Sequence, residues 1–283
     1  MERPYVIQPM TRDDLEIAVS WAGLEGWNPG LHDADCFYAA DPTGFWKGVL
    51  GDQVIATISA VKYGSSFGFM GLYIVKPEYR GQGYGLQVWN TALETLKGRN
   101  VGLDGVLAQQ ENYKKSGFQL AYYHTRYEGV GRGTAPRHPD IIELSKVPLE
   151  AIVAYDQRCF PCDHRTSFLR CWIHQPDNIA LGILQHNKLA GYGVMRPAQN
   201  GYKIGPLFAD DASGAEALLI AFQATATAGT PIYLDVPEIN PAAVALAVRH
   251  EMKPVFETAR MYNQTCPELA YAQLFGVTTL ELG

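Results

Sequence analysis

Apolar and polar positions alternate between two periods along this chain. Val54-Ile-Ala-Thr-Ile-Ser-Ala-Val61 is rich in β-branched residues and predicts a strand, and Gly51-Asp52 just before it predicts a tight hairpin turn. Gly68-Phe-Met-Gly-Leu-Tyr-Ile-Val75 predicts a second strand, stopped by Pro77, which cannot donate to a ladder. From Tyr84 the period lengthens. Leu86, Trp89, Leu93 and Leu96 recur at spacings of 3, 4 and 3, one face of a helix that Gly98 and Asn100 end. Val101-Gly-Leu-Asp104 then opens another strand. Residues 129–140 carry three glycines and two prolines without any period and predict a linker. Ile141 to Tyr262 resumes the mixture of strands and helices, and the tail from Gln264 to Gly283 has no assignment from its pattern.

The two stretches share a short internal repeat. Leu-Asp opens Val101–Asp104 and recurs at Ile232-Tyr-Leu-Asp235; Phe118 lies eight positions before Arg126, and Met252 eight before Arg260. The interval from the aspartate to the apolar residue is 14 in the first copy and 17 in the second, so three residues are inserted. The pattern predicts a duplicated α/β domain: 1–130, a linker at 131–140, and 141–283.

At 283 residues, two domains are the ordinary expectation, and 47% hydrophobic residues suffice for buried cores. The net charge of −6 is spread evenly, with 13 basic and 15 acidic residues in 1–140, so no basic half tracks a nucleic acid. No apolar run has the ~20 residues needed to span a bilayer, none near Met1 suits a signal peptide, and five cysteines make no disulfide framework. The expectation is a cytoplasmic protein with no membrane or nucleic-acid partner; the pattern leaves room for a homodimer. Cys159-Phe-Pro-Cys162 with His164, Cys171 and His174 invites a zinc reading, but the second pair lacks ligand spacing, so no metal is expected.

The chemistry concentrates in Val75-Lys-Pro-Glu-Tyr-Arg-Gly-Gln-Gly-Tyr-Gly-Leu86, between a strand and an amphipathic helix. Gly81, Gly83 and Gly85 let the backbone bend close to a ligand, and the unpaired amides of the next helical turn suit an anion such as pyrophosphate, with Arg80 adding charge. From spacing alone, a glycine turn that binds nothing is equally open. The spacing fits neither the dinucleotide fingerprint nor a P-loop.

Arg80-Gly-Gln-Gly-Tyr-Gly85 resembles the Arg/Gln-x-x-Gly-x-Gly/Ala signature of the GNAT superfamily of N-acetyltransferases, and Tyr113-Lys-Lys-Ser-Gly-Phe118 resembles its Tyr-x-Lys-x-Gly-Phe block. The two blocks cover about residues 5–130. Trp27-Asn-Pro-Gly-Leu-His-Asp33, Leu103-Asp-Gly105 with Gln109–Tyr113, and Leu234-Asp-Val-Pro-Glu238 extend the likeness, to about Tyr262, towards bacterial two-domain members with a degenerate second domain. The resemblance implies an α/β (α+β) fold: two tandem GNAT-like domains, each a mixed, mostly antiparallel twisted sheet flanked by helices.

It also implies that Tyr73, Ile74 and Val75 pair with the pantetheine arm of acetyl-CoA, that Gly81, Gln82, Gly83, Tyr84 and Gly85 hold the pyrophosphate with Arg80, and that Asn112 belongs to the cofactor site. Tyr113 stands at the general-acid position. For the base, no acid lies between Lys62 and Val75, leaving Glu111, Asp104, or a water chain on His32 and Asp33; Leu107 replaces the asparagine that the family often places before the tyrosine. Trp27, His32, Asp33, Asp35 and Glu238 are the candidates for the acceptor, although the acids of that first loop are equally suited to capping the next helix. The second copy has Asp210 and Asp211 where a phosphate loop should lie and Ala247 where Tyr113 stands, so no cofactor is expected there. The activity expected is acetyl transfer from acetyl-CoA to the primary amine of a small molecule, with a protein amine or a CoA-binding sensor as the alternatives.

Overall fold

The computed structural model describes residues 4–134, 138–161 and 165–283. In the first half, β1 (Tyr5–Pro9), β2 (Phe45–Leu50), β3 (Gln53–Tyr63), β4 (Phe67–Val75), β5 (Asn100–Val106) and β6 (Gln119–Val130) alternate with α1 (Arg12–Leu24), α2 (Asp33–Ala40), α3 (Tyr84–Thr95) and α4 (Gln110–Lys115). The second half has β7 (Ile141–Glu143), β8 (Ile179–Gln185), β9 (Lys188–Pro197), β10 (Tyr202–Ala209), β11 (Pro231–Pro237), β12 (Lys253–Tyr262) and β13 (Leu274–Gly276), with α5 (Leu149–Asp156), α6 (Thr166–Trp172), α7 (Ala212–Thr225) and α8 (Pro241–Arg249). The predicted strands and helix therefore form, with Gly51 at φ +63° in the β2–β3 turn. Helix α3 is rotated from the predicted stripe. Its buried face is Val88, Trp89 and Ala92, and Leu86 is 61% exposed.

The strands make one mixed sheet in the order β1-β2-β3-β4-β5-β12-β6-β11-β10-β9-β8-β7, with β13 on β10. Strand β12 of the second half lies between β5 and β6 of the first, and β6 pairs in turn with β11. The halves have exchanged their last strands, so no boundary at 131–140 divides the sheet. Residues 135–137 of that linker lie outside the described residues.

The repeat's charged residues join across the exchange. Arg260 on β12 donates through Nε and Nη2 to both oxygens of Asp104 on β5, each at 2.7 Å. Arg126 on β6 donates in the same way to Asp235 on β11, at 2.6 and 2.9 Å. Each repeat's arginine thus binds the other repeat's aspartate, and the side chains of both pairs are buried. An unpaired charge there would be costly, so the two pairs hold the exchanged strands in place. Phe118 and Met252, the repeat's apolar positions, are both core residues.

One face of the sheet carries a core shared by both halves, in which α1 and α2 meet α5 and α6 through side chains such as Phe37 and Trp172. The opposite face carries two separate cores. Helix α3 packs over β3 to β5 with Ala259 and Met261 of β12 included, and α7 and α8 pack over β8 to β11 with Tyr127 of β6 included.

Candidate active site

Strands β4 and β5 pair in parallel only from Phe67–Asn100 to Met70–Leu103 and then diverge. A register shift against β3 and Leu72 at φ +48° bend β4 away, with Thr57 Oγ1 donating to the Leu72 carbonyl at 2.9 Å. Residues Gly71 to Val75 therefore present a strand edge that β5 does not cover, and a cleft of about 480 Å³ opens along it. Tyr73, Ile74 and Val75 all line this cleft, as do Arg80, Gly81, Gly83 and Gly85.

The glycine loop runs from that edge into the N-terminus of α3. Gly81 and Gly83 have φ of +76° and +87°, and a Cβ at either would meet nothing within 4 Å. Conformation rather than space requires glycine there. Gly83 caps α3 without a side-chain bond, leaving the first-turn amides without partners inside the helix. Gly85 is required for room instead, since a Cβ would lie 2.6 Å from the Tyr73 hydroxyl. Arg80 lines the cleft with Nε on the Val75 carbonyl (2.8 Å) and its guanidinium paired with Glu25. Gln82 and Tyr84 are not among the lining residues; Gln82 Nε2 donates to the Glu78 carbonyl, and the Tyr84 carbonyl accepts from Tyr5.

Tyr113 enters the cleft from α4. Its ring stacks on Trp89 at 5.4 Å and crosses Gly105, where a Cβ would lie 2.2 Å from the ring. Burial, helped by Tyr73, raises the hydroxyl above its ordinary value, so Tyr113 keeps its proton at neutral pH. The same short helix turns its other predicted residues outward. The Glu111 side chain is 77% exposed and paired with Lys114 at 2.6 Å, and Asn112 bonds Gln109. Neither lines the cleft. The period of the helix is the reason, because neighbours of an inward residue face away.

Of the acceptor candidates only Trp27 lines the cleft. Asp33 is fully buried elsewhere, held by Arg196 at 2.7 and 3.2 Å and by the Gly30 amide. Burial alone would raise its carboxyl, but Arg196 holds it below its ordinary value. The surrounding loop docks on β9, with Leu31 N donating to the Pro197 carbonyl and Asn28 exchanging bonds with Asn200. It ties the halves together, which removes Asp33 from the acceptor. His32 stands at the N-cap position of α2 without a capping bond and is not a lining residue; Asp35 pairs with Arg12 at 2.6 Å on the surface, and Glu238 accepts from Thr125. Asp104 does line the cleft, but Arg260 occupies both oxygens, and His124 Nδ1 stands 3.0 Å away. Burial opposes its charge, and Arg260 more than offsets this to hold it low, which makes it a poor base.

Pattern reasoning missed Phe256 and Thr258 of β12 and Leu280 and Glu281 of the tail, all of which line the cleft. The strand exchange brings the first pair, and no local period encodes that. The tail has no period because it is irregular, yet residues 277–283 are all buried and Tyr63 Oη donates to the Leu282 carbonyl at 3.0 Å.

The equivalent opening in the second half is closed. Past Ile204–Leu234, β13 pairs with β10 and Val277 N donates to the Asp235 carbonyl, filling the gap between β10 and β11. At the start of α7 the Asp211 carboxylate already accepts from the Gly214 amide at 2.8 Å. The chain itself thus occupies both the edge and the anion site. Cys162 and His164 of the zinc reading lie outside the described residues. Among the described residues no group of three metal-ligating side chains forms, and no helix is long and apolar enough to cross a membrane.

A diverging strand pair, a glycine loop at a helix N-terminus and a buried tyrosine in one cleft form a testable set. An "Acetyltransferase (GNAT) family" model matches residues 11–118, and an "Acetyltransferase (GNAT) domain" model matches 152–276. The chain belongs to the GNAT superfamily, as two GNAT domains in tandem. It is 27% identical over 278 residues to holothin acyltransferase of Pseudoalteromonas sp. (strain SANK 73390), covering 98% of this chain and 94% of that one. A putative acetyltransferase from Pyrococcus horikoshii has a similar structure, with a TM-score of 0.83 and 25% identity over 99% of this chain and 96% of the other. A tandem GNAT protein from the clavulanic acid biosynthesis pathway shares the fold at TM-score 0.62 and 13% identity, covering 93% of this chain and all of that one. This GNAT pair is an acyl-transferring enzyme.

Proposed function

We propose that the protein transfers an acetyl group from acetyl-CoA to the primary amine of a small molecule, at the cleft of its N-terminal half. The observation that carries this reading is the uncovered β4 edge running into the unpartnered amides of α3, with Tyr113 in the same cleft. The donor fits these residues. A pantetheine arm can add to the edge at Tyr73–Val75 as a further strand, and a pyrophosphate can take the amides at Gly81–Gly85. Arg80, held by the Val75 carbonyl and Glu25, adds positive charge beside the loop for a phosphate.

When bound, acetyl-CoA supplies an activated thioester. The residues of the cleft then hold a neutral amine against its carbonyl carbon, exclude water, and donate a proton. The new C–N bond forms as the C–S bond breaks, the Tyr113 hydroxyl protonates the departing sulfur, and the proton lost by nitrogen returns to the tyrosine through solvent. The closed opening of the second half supports a single active site per chain.

Incubation with acetyl-CoA and an amine panel, followed by mass spectrometry, tests the reading. An N-acetylated small amine is the expected product. Acetylated protein lysines with no small-molecule product would favour a protein acceptor, and donor binding without any product would favour a sensor.

A further inference from the structure

We propose that Glu281 and Thr258, both supplied by the C-terminal half, bind the acyl acceptor, and that this acceptor is a monoamine with an apolar body. The assignment rests on the acetyl-transfer reading of the cleft.

Three carboxylates line the cleft: Glu25, Asp104 and Glu281. Glu25 pairs with Arg80 through one oxygen and is partly open to solvent, and Asp104 gives both oxygens to Arg260. Glu281 differs. Its Oε2 accepts from the Thr279 hydroxyl, and its Oε1 has no partner among the described residues. It is 3% exposed, so the missing donor must come from the cleft, from water or from a ligand that displaces it.

Thr258 gives the second observation. It too is 3% exposed and lines the cleft, and its hydroxyl has no hydrogen-bond partner. A buried hydroxyl without a partner is unfavourable in the empty protein and becomes satisfied when a polar ligand arrives. Strand β12 sets it beside His124 and Val106, two residues from Phe256 on the same face.

Charge balance then selects the acceptor. Arg126 and Lys203 both interact with the Glu281 charge, and both also meet Asp235. Two buried cations face two carboxylates, so no uncompensated negative charge awaits an ammonium, still less a polycation. A neutral amine can donate an N–H to Glu281 Oε1 and keep its lone pair for attack. Trp27, Phe256 and Leu280 supply the apolar surroundings. Arg126 holds the two aromatic residues together, with Nη1 on the Trp27 carbonyl at 2.6 Å and its guanidinium 5.4 Å over the Phe256 ring. A polyamine or aminoglycoside, which needs several carboxylates without a compensating cation, does not fit.

Steady-state kinetics on the full chain, with tryptamine and phenethylamine set against spermidine and kanamycin, tests this, with acetyl-CoA affinity followed by calorimetry. Tryptamine or phenethylamine should exceed spermidine in kcat/KM by at least about tenfold. Glu281→Gln should lower kcat/KM for the amine by about tenfold or more, and Thr258→Val should raise its KM several-fold with kcat held, Thr258→Ser restoring it. Neither should change acetyl-CoA affinity. If Glu281→Gln does not fold, the two Thr258 variants decide. Preference for spermidine or kanamycin, unchanged amine kinetics in the variants, or a parallel loss of acetyl-CoA affinity would overturn the assignment while turnover by the wild type upholds the acetyl-transfer reading. Acetyl-CoA bound but no amine acetylated would overturn both.

Discussion

The side chains of Asp33, Asp104 and Asp235 are each buried and each clamped by one arginine, and all three hold the fold together. Removing one partner of such a pair strands a charge, so Asp33→Ala should cost about 3–5 kcal/mol, or roughly 10 °C in Tm. Calorimetry checks the stability, and an unchanged amine KM in the protein that still folds would confirm that Asp33 is no acceptor ligand. The same pairs set an acid limit. Burial raises and the arginines lower these carboxyls, and the net shift is downward in all three. A depressed folded pKa stabilises the protein above the unfolded value, about 3.9, and that stability is lost as pH falls through the folded values. As far as these groups decide it, Tm should hold from pH 7 to about 5 and drop below about 4, as scans across that range would show. Residue type alone placed Asp33 in the acceptor loop. A single sequence shows that a loop holds an acid, but the buried Arg196 that claims it lies 163 positions away.

At the scale of elements, the β4–glycine loop–α3 unit was legible because its requirements are local. A strand stopped by Pro77, three glycines and an amphipathic helix follow one another within thirty residues, and the physics that joins them needs no distant partner. Helix α4 was legible at Tyr113 and misleading at Glu111 and Asn112, since a six-residue helix offers too little period to show its inward face. The element-scale prediction concerns Gly83. Valine there must adopt φ +87° at a cost of about 1–3 kcal/mol, yet its side chain meets no protein atom. Gly83→Val should therefore fold, with a modestly lower Tm, and should lose acetyl-CoA affinity by about a hundredfold as the amides are displaced from a phosphate. Unchanged affinity by calorimetry would remove the loop from the cofactor site.

For the whole molecule, the exchange of β6 and β12 joins what the repeat suggested were two independent units. The repeat was visible in the sequence, but which aspartate each arginine serves was not, because either pairing satisfies the pattern. The tail escaped for a related reason: residues 274–283 close one opening and line the other, a role defined by the halves they join. With a shared core and exchanged strands, the chain should unfold in one transition, its calorimetric and van't Hoff enthalpies equal; two separated transitions would contradict this coupling. The central claim is that the N-terminal cleft transfers an acetyl group with Tyr113 as the acid. Amine-dependent thiol release from acetyl-CoA, wild type beside Tyr113→Phe, tests it most directly. The account predicts release well above hydrolysis in the wild type and a fall of about a hundredfold or more in the variant; amine-dependent release undiminished in Tyr113→Phe, or none in the wild type, would contradict it.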